Sequence, residues 1–437
     1  MFKISNNTFY NRHNNELEKY LNRDNTLHIV NSKTQKKIAE FKNETIYLDI
    51  STSKYLNEIP TKIKFSSIVL TDIVENHDNL YELLSFLNKL LTPDGKLVIS
   101  SLNTKYTFLI RLIEKLGLKN KNPINTFIHL KKIKKITSSF SLDYQKYYSK
   151  QIIPFEFFGI GNFINSFLEI LFSSFNFGIK TYMIFRNSEE VNIRLSKSII
   201  IPAKNEAGNL NELVSRIPLF ENTEIIFAYG ESQDDTFKVM QEISKIYTNF
   251  TFKIITQTKS GKANAVWEAI KVIENDLIAI LDADISVEPE TLEDFFQIIE
   301  ENNADFINGT RLIYEMDKNS MRYINKVGNR FFQFFIGKII KEPLTDSLCG
   351  TKVFKKEFIS DIYYWQKIFW QEDPFGDFDL IFSAAYSGQK IAELPIRYRE
   401  RRYGSTQISR FRDGYKLIKY LIASFLMFNT SINVKKF

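Results

Sequence analysis

A single cysteine, Cys349, stands among 437 residues, which excludes a disulfide framework and any zinc site built on several thiolates. A reducing cytoplasm is the compartment this implies. Long apolar runs are missing too: the late stretch 420–428 falls far short of the ~20 residues that cross a bilayer. The opening, residues 1–20, is polar and mixed in charge, without the apolar core of a secretory signal. The expectation is a cytoplasmic chain that neither spans a membrane nor is exported. Histidine is scarce, and His13, His28, His77 and His129 all lie in the first half. No histidine can therefore serve as a local base in the second half, and acid–base work there falls to carboxylates or is not needed. Glycine is absent from residues 1–94, and only Gly95, Gly117, Gly159, Gly161 and Gly178 appear before residue 190, whereas eleven follow. That step in composition divides the chain near residue 190, and its length suits two or three domains.

What is present begins with 44% hydrophobic residues, enough for large cores. The net charge of +7 is mild for this size. Basic residues nevertheless gather late, at Arg397, Arg399, Arg401, Arg402, Arg410, Arg412, Lys416 and Lys419, against Glu393, Glu400 and Asp413. Such a cluster suits phosphate, anionic lipid or nucleic acid, or is simply a solvated face.

In the first half, strand-like runs at 27–30, 45–48, 67–70 and 96–100, with a helical pattern at 80–91, give a Rossmann-type rhythm. Asp49 follows the second strand about 20 residues after the first, where a ribose-holding acid belongs. Pro93-Asp94-Gly95-Lys96-Leu97-Val98-Ile99-Ser100, followed by Asn103, completes a pattern that resembles a class I S-adenosylmethionine-dependent methyltransferase. The first strand, however, runs into Asn31-Ser32-Lys33-Thr34 where that family has a glycine-rich turn, and without glycine the backbone cannot easily approach a cofactor. Residues 1–190 therefore read as a degenerate methyltransferase-like domain, with no functional S-adenosylmethionine site and a role in folding or docking.

From residue 195 strands and helices alternate cleanly: strand 198–202, helix 208–216, strand 224–228, helix 235–247, strand 251–255, helix 262–274, and a strand that ends at Asp282. This is a nucleotide-binding α/β arrangement. Ser198-Ile199-Ile200-Ile201-Pro202-Ala203-Lys204-Asn205-Glu206 closes a buried strand in a polar turn, where proline stops the ladder and Asn205 and Glu206 can hydrogen-bond a base or ribose. Leu281-Asp282-Ala283-Asp284 follows an apolar run, and paired carboxylates at the end of a buried strand suit a divalent cation carrying a diphosphate. The same Asp-x-Asp pattern also occurs on solvated loops.

Taken in order, these segments resemble family 2 glycosyltransferases of the GT-A fold, in the polyprenyl-phosphate, dolichol-phosphate mannosyltransferase-like branch. Gly230-Glu231-Ser232-Gln233-Asp234-Asp235-Thr236 resembles the second nucleotide turn, and Lys259-Ser260-Gly261-Lys262-Ala263-Asn264-Ala265 the glycine-containing loop beside the nucleotide. Asn308-Gly309-Thr310-Arg311, Asp346-Ser347-Leu348-Cys349-Gly350-Thr351-Lys352, and the stretch from Gly376-Asp377-Phe378-Asp379 to Gly404-Ser405-Thr406 resemble acceptor-side segments. The resemblance covers roughly residues 195–415 and extends to members that carry a methyltransferase-like domain in front. It implies a GT-A domain over 191–437 ending in an amphipathic helix. Gly230-Glu231 stands where the family commonly has an aspartate pair, which leaves the nucleotide open, and Ser286 stands where nearer relatives have a third metal ligand.

The implied activity is metal-dependent, inverting transfer of a sugar from a nucleotide-diphosphate sugar to a polyprenyl phosphate or a cell-envelope glycan. Asp282 and Asp284 would hold Mg²⁺ or Mn²⁺. Pro202, Ala203, Asn205, Glu206, Glu231, Ser232, Lys259, Gly261, Lys262 and Asp282 would hold the donor. Arg311, Arg322 and Arg401 offer forked donors to phosphate. A lipid phosphate, with a second pKa of about 6, needs no base. For a hydroxyl acceptor Asp346 is the first candidate base, followed by Asp373 or Asp377. Two helical stretches, 329–340 and 415–428, are apolar with basic edges, suited either to core packing or to peripheral contact with the inner face of the cell membrane. A nucleotidyltransferase would need a glycine-rich first turn, and Ala203-Lys204-Asn205-Glu206 is not one. A non-catalytic nucleic-acid or partner binder built on the first domain is the other alternative, although no nucleic acid is expected.

Overall fold

The computed structural model describes residues 6–21, 25–30, 45–49, 63–75, 79–115, 130–137, 139–153, 161–172, 175–191, 193–314, 323–400, 403 and 410–429. It forms two compact units, Met1–Glu190 with Asn429–Phe437, and Val191–Phe428.

The first unit contains strands β1 (Thr26–Val30), β2 (Thr45–Asp49), β3 (Phe65–Thr71), β4 (Leu91–Leu102), β5 (Leu142–Lys150) and β6 (Lys180–Asn187), in the order β2-β1-β3-β4-β6-β5. β1 to β4 run parallel, and β6 runs antiparallel to both β4 and β5. Its helices are α1 (Asn6–Leu21), α2 (Leu80–Leu90), α3 (Thr107–Lys115), α4 (Leu130–Thr137) and α5 (Gly161–Leu171). Asn79 starts α2 by accepting from Glu82 N at 3.1 Å while its amide donates to the Glu82 carboxylate at 3.0 Å, a reciprocal cap. Leu83, Leu84, Leu87 and Leu90 then face the core at helical spacing. β4 begins earlier than the expected residue 96. Leu91 pairs with Phe65, and the register then jumps so that Lys96 pairs with Ser67, which leaves Thr92-Pro93-Asp94-Gly95 looped out of the ladder.

This unit buries several titratable groups, one of them in a closed ion pair. Lys180, 2% exposed, donates to both oxygens of Asp72 at 2.5 Å, just beyond the carboxyl end of β3. Glu75 accepts from Leu102 N at 2.8 Å, and burial followed by the Asp72 charge pushes its carboxyl up to about 8. His13 lies 2.8 Å from the Tyr182 hydroxyl. The Asn31 to Thr34 turn lies outside the described residues.

The second unit contains β7 (Lys197–Ala203), β8 (Thr223–Tyr229), β9 (Thr251–Thr256), β10 (Leu277–Ile280), β11 (Phe306–Thr310), β12 (Lys352–Lys355) and β13 (Ile391–Pro395), in the order β13-β11-β12-β10-β7-β8-β9. Its helices are α6 (Leu210–Ser215), α7 (Thr236–Ile246), α8 (Lys262–Ile270), α9 (Leu292–Glu300), α10 (Tyr323–Ile340), α11 (Phe358–Ile368), α12 (Asp377–Tyr386) and α13 (Arg410–Asn429). β7 to β10 are parallel, and β12 runs antiparallel between β10 and β11. Strands alternate their side chains between faces, so Ile200, Ile226, Ile278 and Ile280 pack into one core. Ile199, Ile201, Phe227 and Leu281 pack into the other. Both faces are therefore covered, as a parallel sheet requires, and each such isoleucine contributes about 1.5–3 kcal/mol through burial.

The strand order turns back between β7 and β10, because β8 and β9 extend to one side and β10 to the other. Ligand crevices open at such a reversal, beyond the carboxyl ends of the strands. Pro202 sharpens it. Leu281 N donates to Ile200 O at 3.0 Å, and the next rung would need an N–H from residue 202, which proline lacks. The two chains part there, and β10 delivers Asp282 and Asp284 into the opening.

No helix among the described residues is long and apolar enough to cross a membrane. The apolar stretch of α10 divides its faces. Phe332, Ile336, Ile339 and Ile340 are buried, whereas Tyr323 is 82% and Phe334 58% exposed, with Phe331 and Phe335 beside them. α13 divides likewise: Leu417, Tyr420 and Leu421 are buried, and Tyr415, Ile418 and Ile422 are exposed. Each helix thus packs one face into the core and leaves apolar side chains exposed on the other.

Candidate active site

A cleft of about 910 Å³ opens at the reversal point, walled by the turn after β7, the start of α8, the end of β10, the segment before α12 and the first turns of α13. Pro202, Ala203, Glu206, Lys259, Gly261, Lys262, Asp282, Asp284 and Arg311 all reach it. Residues far apart in the sequence that were expected at a donor or metal site thus line one cleft. Asn205, Glu231, Ser232 and Asp346 are not in its wall.

Asn205 is used as a brace. Its backbone takes the left-handed conformation, φ 57°, and its side-chain oxygen accepts from Gln233 N at 2.7 Å, while its own N–H donates to Ser232 Oγ at 3.0 Å. The turns after β7 and β8 are thereby tied to each other, and Asn205, expected at a base or ribose, is held outside the cleft wall. Ser232 completes the tie by donating to Gly230 O at 2.7 Å, and Glu231 points to solvent.

Asp284 is buried and accepts from both the N–H and the hydroxyl of Ser286, at 3.0 and 2.6 Å. Ser286 thus orients Asp284. Between them Ile285 adopts φ 53°, a strained conformation for a β-branched residue of the kind that persists where surrounding structure enforces it. The enforcement is visible: Arg399 N donates to Ser286 O at 2.9 Å, and Val287 bridges to Tyr398.

Asp282 forms an ion pair with Lys262, the first residue of α8. Burial pushes the Asp282 carboxyl up, but the Lys262 ammonium, with Lys352 and Arg311 behind it, overcomes this and holds the group below its ordinary value. Burial lowers Lys262 in turn, and the charges of Asp282, Asp377 and Asp284 more than reverse that. Beneath this pair lies a second, between the fully buried Lys352 Nζ and Asp377 Oδ1 at 2.6 Å. Gly350 makes the packing possible, since a Cβ there would fall on the Asp282 carboxylate and the Lys262 ammonium. Gly261, at φ 112°, supplies the conformation that starts α8 at the cleft, and the free N–H groups of that first turn face a region suited to anions.

Asp346 has a different fate from the one expected of a base. It is 0% exposed and takes Arg311 Nε at 2.7 Å and Nη2 at 2.9 Å. It also accepts from Arg311 N, Asn329 Nδ2 and Leu348 N. Burial raises its carboxyl, but the Arg311 guanidinium outweighs this and leaves it below the ordinary value. A carboxylate with its lone pairs taken and its affinity for protons reduced is poorly suited to accept one. Arg311 is correspondingly committed to Asp346 and lies 5.1 Å from the Tyr398 ring centre, so it enters the cleft as part of a fixed pair.

Asp373, in the cleft wall, is the better-placed carboxylate. It caps α12, accepting from Phe375 N at 3.0 Å, Phe378 N at 2.6 Å and Asp379 N at 3.0 Å. Burial, then the charge of Asp377, pushes it up to about 6. Lys204, Gln257, Trp267, Trp370, Tyr398 and Lys416 also reach the cleft without having been singled out for it. Lys204 had a signal as part of the turn after β7, and Lys416, like Arg412, as a member of the late basic cluster. Arg401 and Arg322 lie outside the described residues.

The residues fit a divalent cation of one kind. Among the described residues no group of three or more histidines, cysteines or carboxylates has the arrangement of a metal cage. Two carboxylates at one strand end suit Mg²⁺ or Mn²⁺, ions that take few protein ligands and complete their shell with water and substrate phosphate.

Comparison with known proteins gives a family for this region. Residues 198–363 match the model of Glycosyl transferase family 2. A dolichol-phosphate mannosyltransferase of Pyrococcus furiosus is 26% identical over 233 residues, 51% of this chain and 61% of that protein. A dolichyl-phosphate hexose transferase of Haloferax volcanii is 26% identical over 170 residues, 39% of this chain and 70% of the relative. An undecaprenyl-phosphate 4-deoxy-4-formamido-L-arabinose transferase of Proteus mirabilis is 24% identical over 217 residues, 48% of this chain and 62% of the relative. The chain thus spans about three fifths of the length of the first of these relatives. A solved structure of glucosyl-3-phosphoglycerate synthase from Mycobacterium tuberculosis, in complex with Mn²⁺, uridine diphosphate and glucosyl-3-phosphoglycerate, aligns over 54% of this chain and 80% of its own, with 15% identity and a TM-score of 0.38.

Proposed function

We propose that the second unit transfers a sugar, with inversion, from a nucleotide-diphosphate sugar to a lipid phosphate of the polyprenyl type at a membrane surface. The observation that carries this reading is the delivery of Asp282 and Asp284 into the cleft where β10 parts from β7, opposite the turn Pro202 to Glu206. Asp284, held by Ser286, and Asp282 are the residues that would hold Mg²⁺ or Mn²⁺. When bound, that ion offsets diphosphate charge and assists its departure. Glu206, Lys259 and the first turn of α8 flank the donor side, and Lys416 enters from α13 on the other. A lipid phosphate is already a nucleophile at neutral pH, so the absence of histidine from the second unit costs the reaction nothing. The exposed aromatic faces of α10 and α13, edged by Lys326, Arg330, Lys338 and Lys419, suit the interface of an anionic bilayer. The three curated relatives are named for lipid-phosphate acceptors, which favours the same choice.

One observation favours a second reading. Asp373, raised to about 6 by burial and by Asp377, has the proton affinity of a general base near neutral pH, as a hydroxyl acceptor would require. The first unit we read as a degenerate methyltransferase-like domain that does not bind S-adenosylmethionine. The commitment of Asp72 to Lys180 at the end of β3 supports this.

Radiolabelled GDP- and UDP-sugars offered with polyprenyl phosphate and Mn²⁺ test the main reading. Label is expected in the organic phase, and Asp284→Asn is expected to lower the rate about 10³-fold, the scale of several kcal/mol of lost charge stabilisation. Label that stays aqueous while donor is consumed moves the case to a hydroxyl acceptor, and Asp373→Asn then becomes the decisive variant. No donor consumption with any sugar rejects the reading.

A further inference from the structure

The cleft carries its own cation. Asp282 and Lys262 are paired in the cleft wall, and Asp377, also in the wall, is paired with Lys352 behind it. The pairs differ in one respect. Lys352 is completely buried, and its ammonium also donates to Cys349 O. Lys262 and Asp282 are 25% and 31% exposed, on the cleft side. The fixed pair is therefore part of the wall, and the outer pair is reachable by solvent and by whatever enters.

We propose that Lys262 is a placeholder for the divalent cation. In the protein without donor its ammonium occupies the Asp282 carboxylate, so that metal alone binds poorly. The ion then loads together with a nucleotide diphosphate, to which the displaced ammonium turns. This rests on the reading that Asp282 and Asp284 hold a metal. The chemistry is exchange of one cation for another at a shared carboxylate, and no bond is made or broken. Lys262 is the first residue of α8, directly after Gly261 at φ 112°, and the first turn of a helix favours anions. Gly350 leaves the space in which the pair meets, and a Cβ there would strike both groups. A diphosphate brings the negative charge that gives the ammonium a second partner, whereas free Mn²⁺ brings none and must compete with an ammonium already seated. Lys262 is thus a positioning residue that couples metal loading to donor loading.

Mn²⁺ binding to the full-length protein, read as loss of the free-ion electron paramagnetic resonance signal, tests the exchange without reference to activity. Wild type is expected to bind Mn²⁺ alone weakly and to tighten about tenfold or more when GDP or UDP is added. Lys262→Met is expected to bind Mn²⁺ alone about tenfold more tightly than wild type, the order expected for removing one adjacent charge in a partly solvated site, and to lose most of the nucleotide coupling. Lys262→Arg, which keeps the cation, stays near wild type. Equal affinity of wild type and Lys262→Met for Mn²⁺ alone overturns the placeholder and leaves the metal reading intact. If Mn²⁺ fails to bind wild type even with both nucleotides, or if Asp284→Asn leaves binding unchanged, the metal reading falls and the placeholder with it. Should Lys262→Met fail to fold, thermal unfolding of wild type decides: a shift with Mn²⁺ alone as large as that with Mn²⁺ and nucleotide overturns the proposal.

Discussion

Both units bring an aspartate to the end of a parallel strand, and the two arrangements part company in what the aspartate meets. Asp72, after β3, gives both oxygens to a lysine that is 2% exposed. Asp282, after β10, meets a lysine that is a quarter exposed, on the wall of a 910 Å³ cleft. Strand order supplies an address for a ligand in either sheet. Whether the address becomes a site depends on whether the counter-charge can leave. A buried ammonium cannot return to water without a large desolvation imbalance, whereas a partly solvated one can exchange.

The contrast predicts that buried pairs govern stability and exposed pairs govern binding. The largest stability effect is expected at Asp346→Asn, which leaves the Arg311 guanidinium buried without its counter-charge and costs about 3–5 kcal/mol. Denaturant titration checks it. The comparison breaks if the midpoint is unmoved while transfer is lost, because Asp346 would then be acting as a base rather than as a strut. Next comes Lys180→Met in the first unit. Asp72 is somewhat less buried than Asp346, so a loss of about 2–3 kcal/mol is expected. Unfolding of that unit should move to lower temperature while the affinity of the second unit for Mn²⁺ and nucleotide stays within about twofold. An affinity that falls with the first unit's stability would show that the two halves share more than a chain.

Much of this was legible in the sequence because the information is local. A run such as Ile199-Ile200-Ile201 before Pro202 specifies a strand buried on both faces and its end, and Asp282 with Asp284 announces itself by spacing alone. The glycine step at residue 190 coincides with the junction between the two compact units. Partnership across the fold was not legible. Asp346 and Arg311 are 35 residues apart, and nothing in either motif says that they neutralise each other. Asn205 belongs to a family-like turn, yet its side-chain oxygen accepts from the next turn, at Gln233 N. Gly350 was quoted within a motif, but its reason, the space needed by a pair drawn from α8 and β10, exists only in three dimensions.

The smallest effect lies between the two kinds of charge, at Asp379. Its carboxylate accepts from Trp365 Nε1 at 3.2 Å and from the Tyr420 hydroxyl at 2.5 Å, which joins α12 to α13. Burial, then the charge of Asp373, pushes it up to about 7, and Asp373 itself is raised to about 6. Ordinary values in the unfolded chain lie near ~3.9, so the folded protein holds more protons than the unfolded one between pH ~4 and 7. The stability these groups contribute is complete below that window and is lost as pH rises through it. Asp282 and Asp346 are shifted the other way, and their contribution is lost only as pH falls through the acid range. Between pH 5 and 8 the second unit should therefore melt at progressively lower temperature. Asp379→Asn keeps an oxygen for Trp365 and Tyr420, removes one titration and relieves Asp373 of a neighbouring charge, so its melting temperature should fall less over the same range. A difference of about 1 kcal/mol across the window would appear as ~2–4 °C for a unit of this size. Parallel pH profiles for wild type and variant would mean that the pair is already shared with solvent. Asp373 would then belong with the exchangeable charges of the cleft rather than with the buried ones.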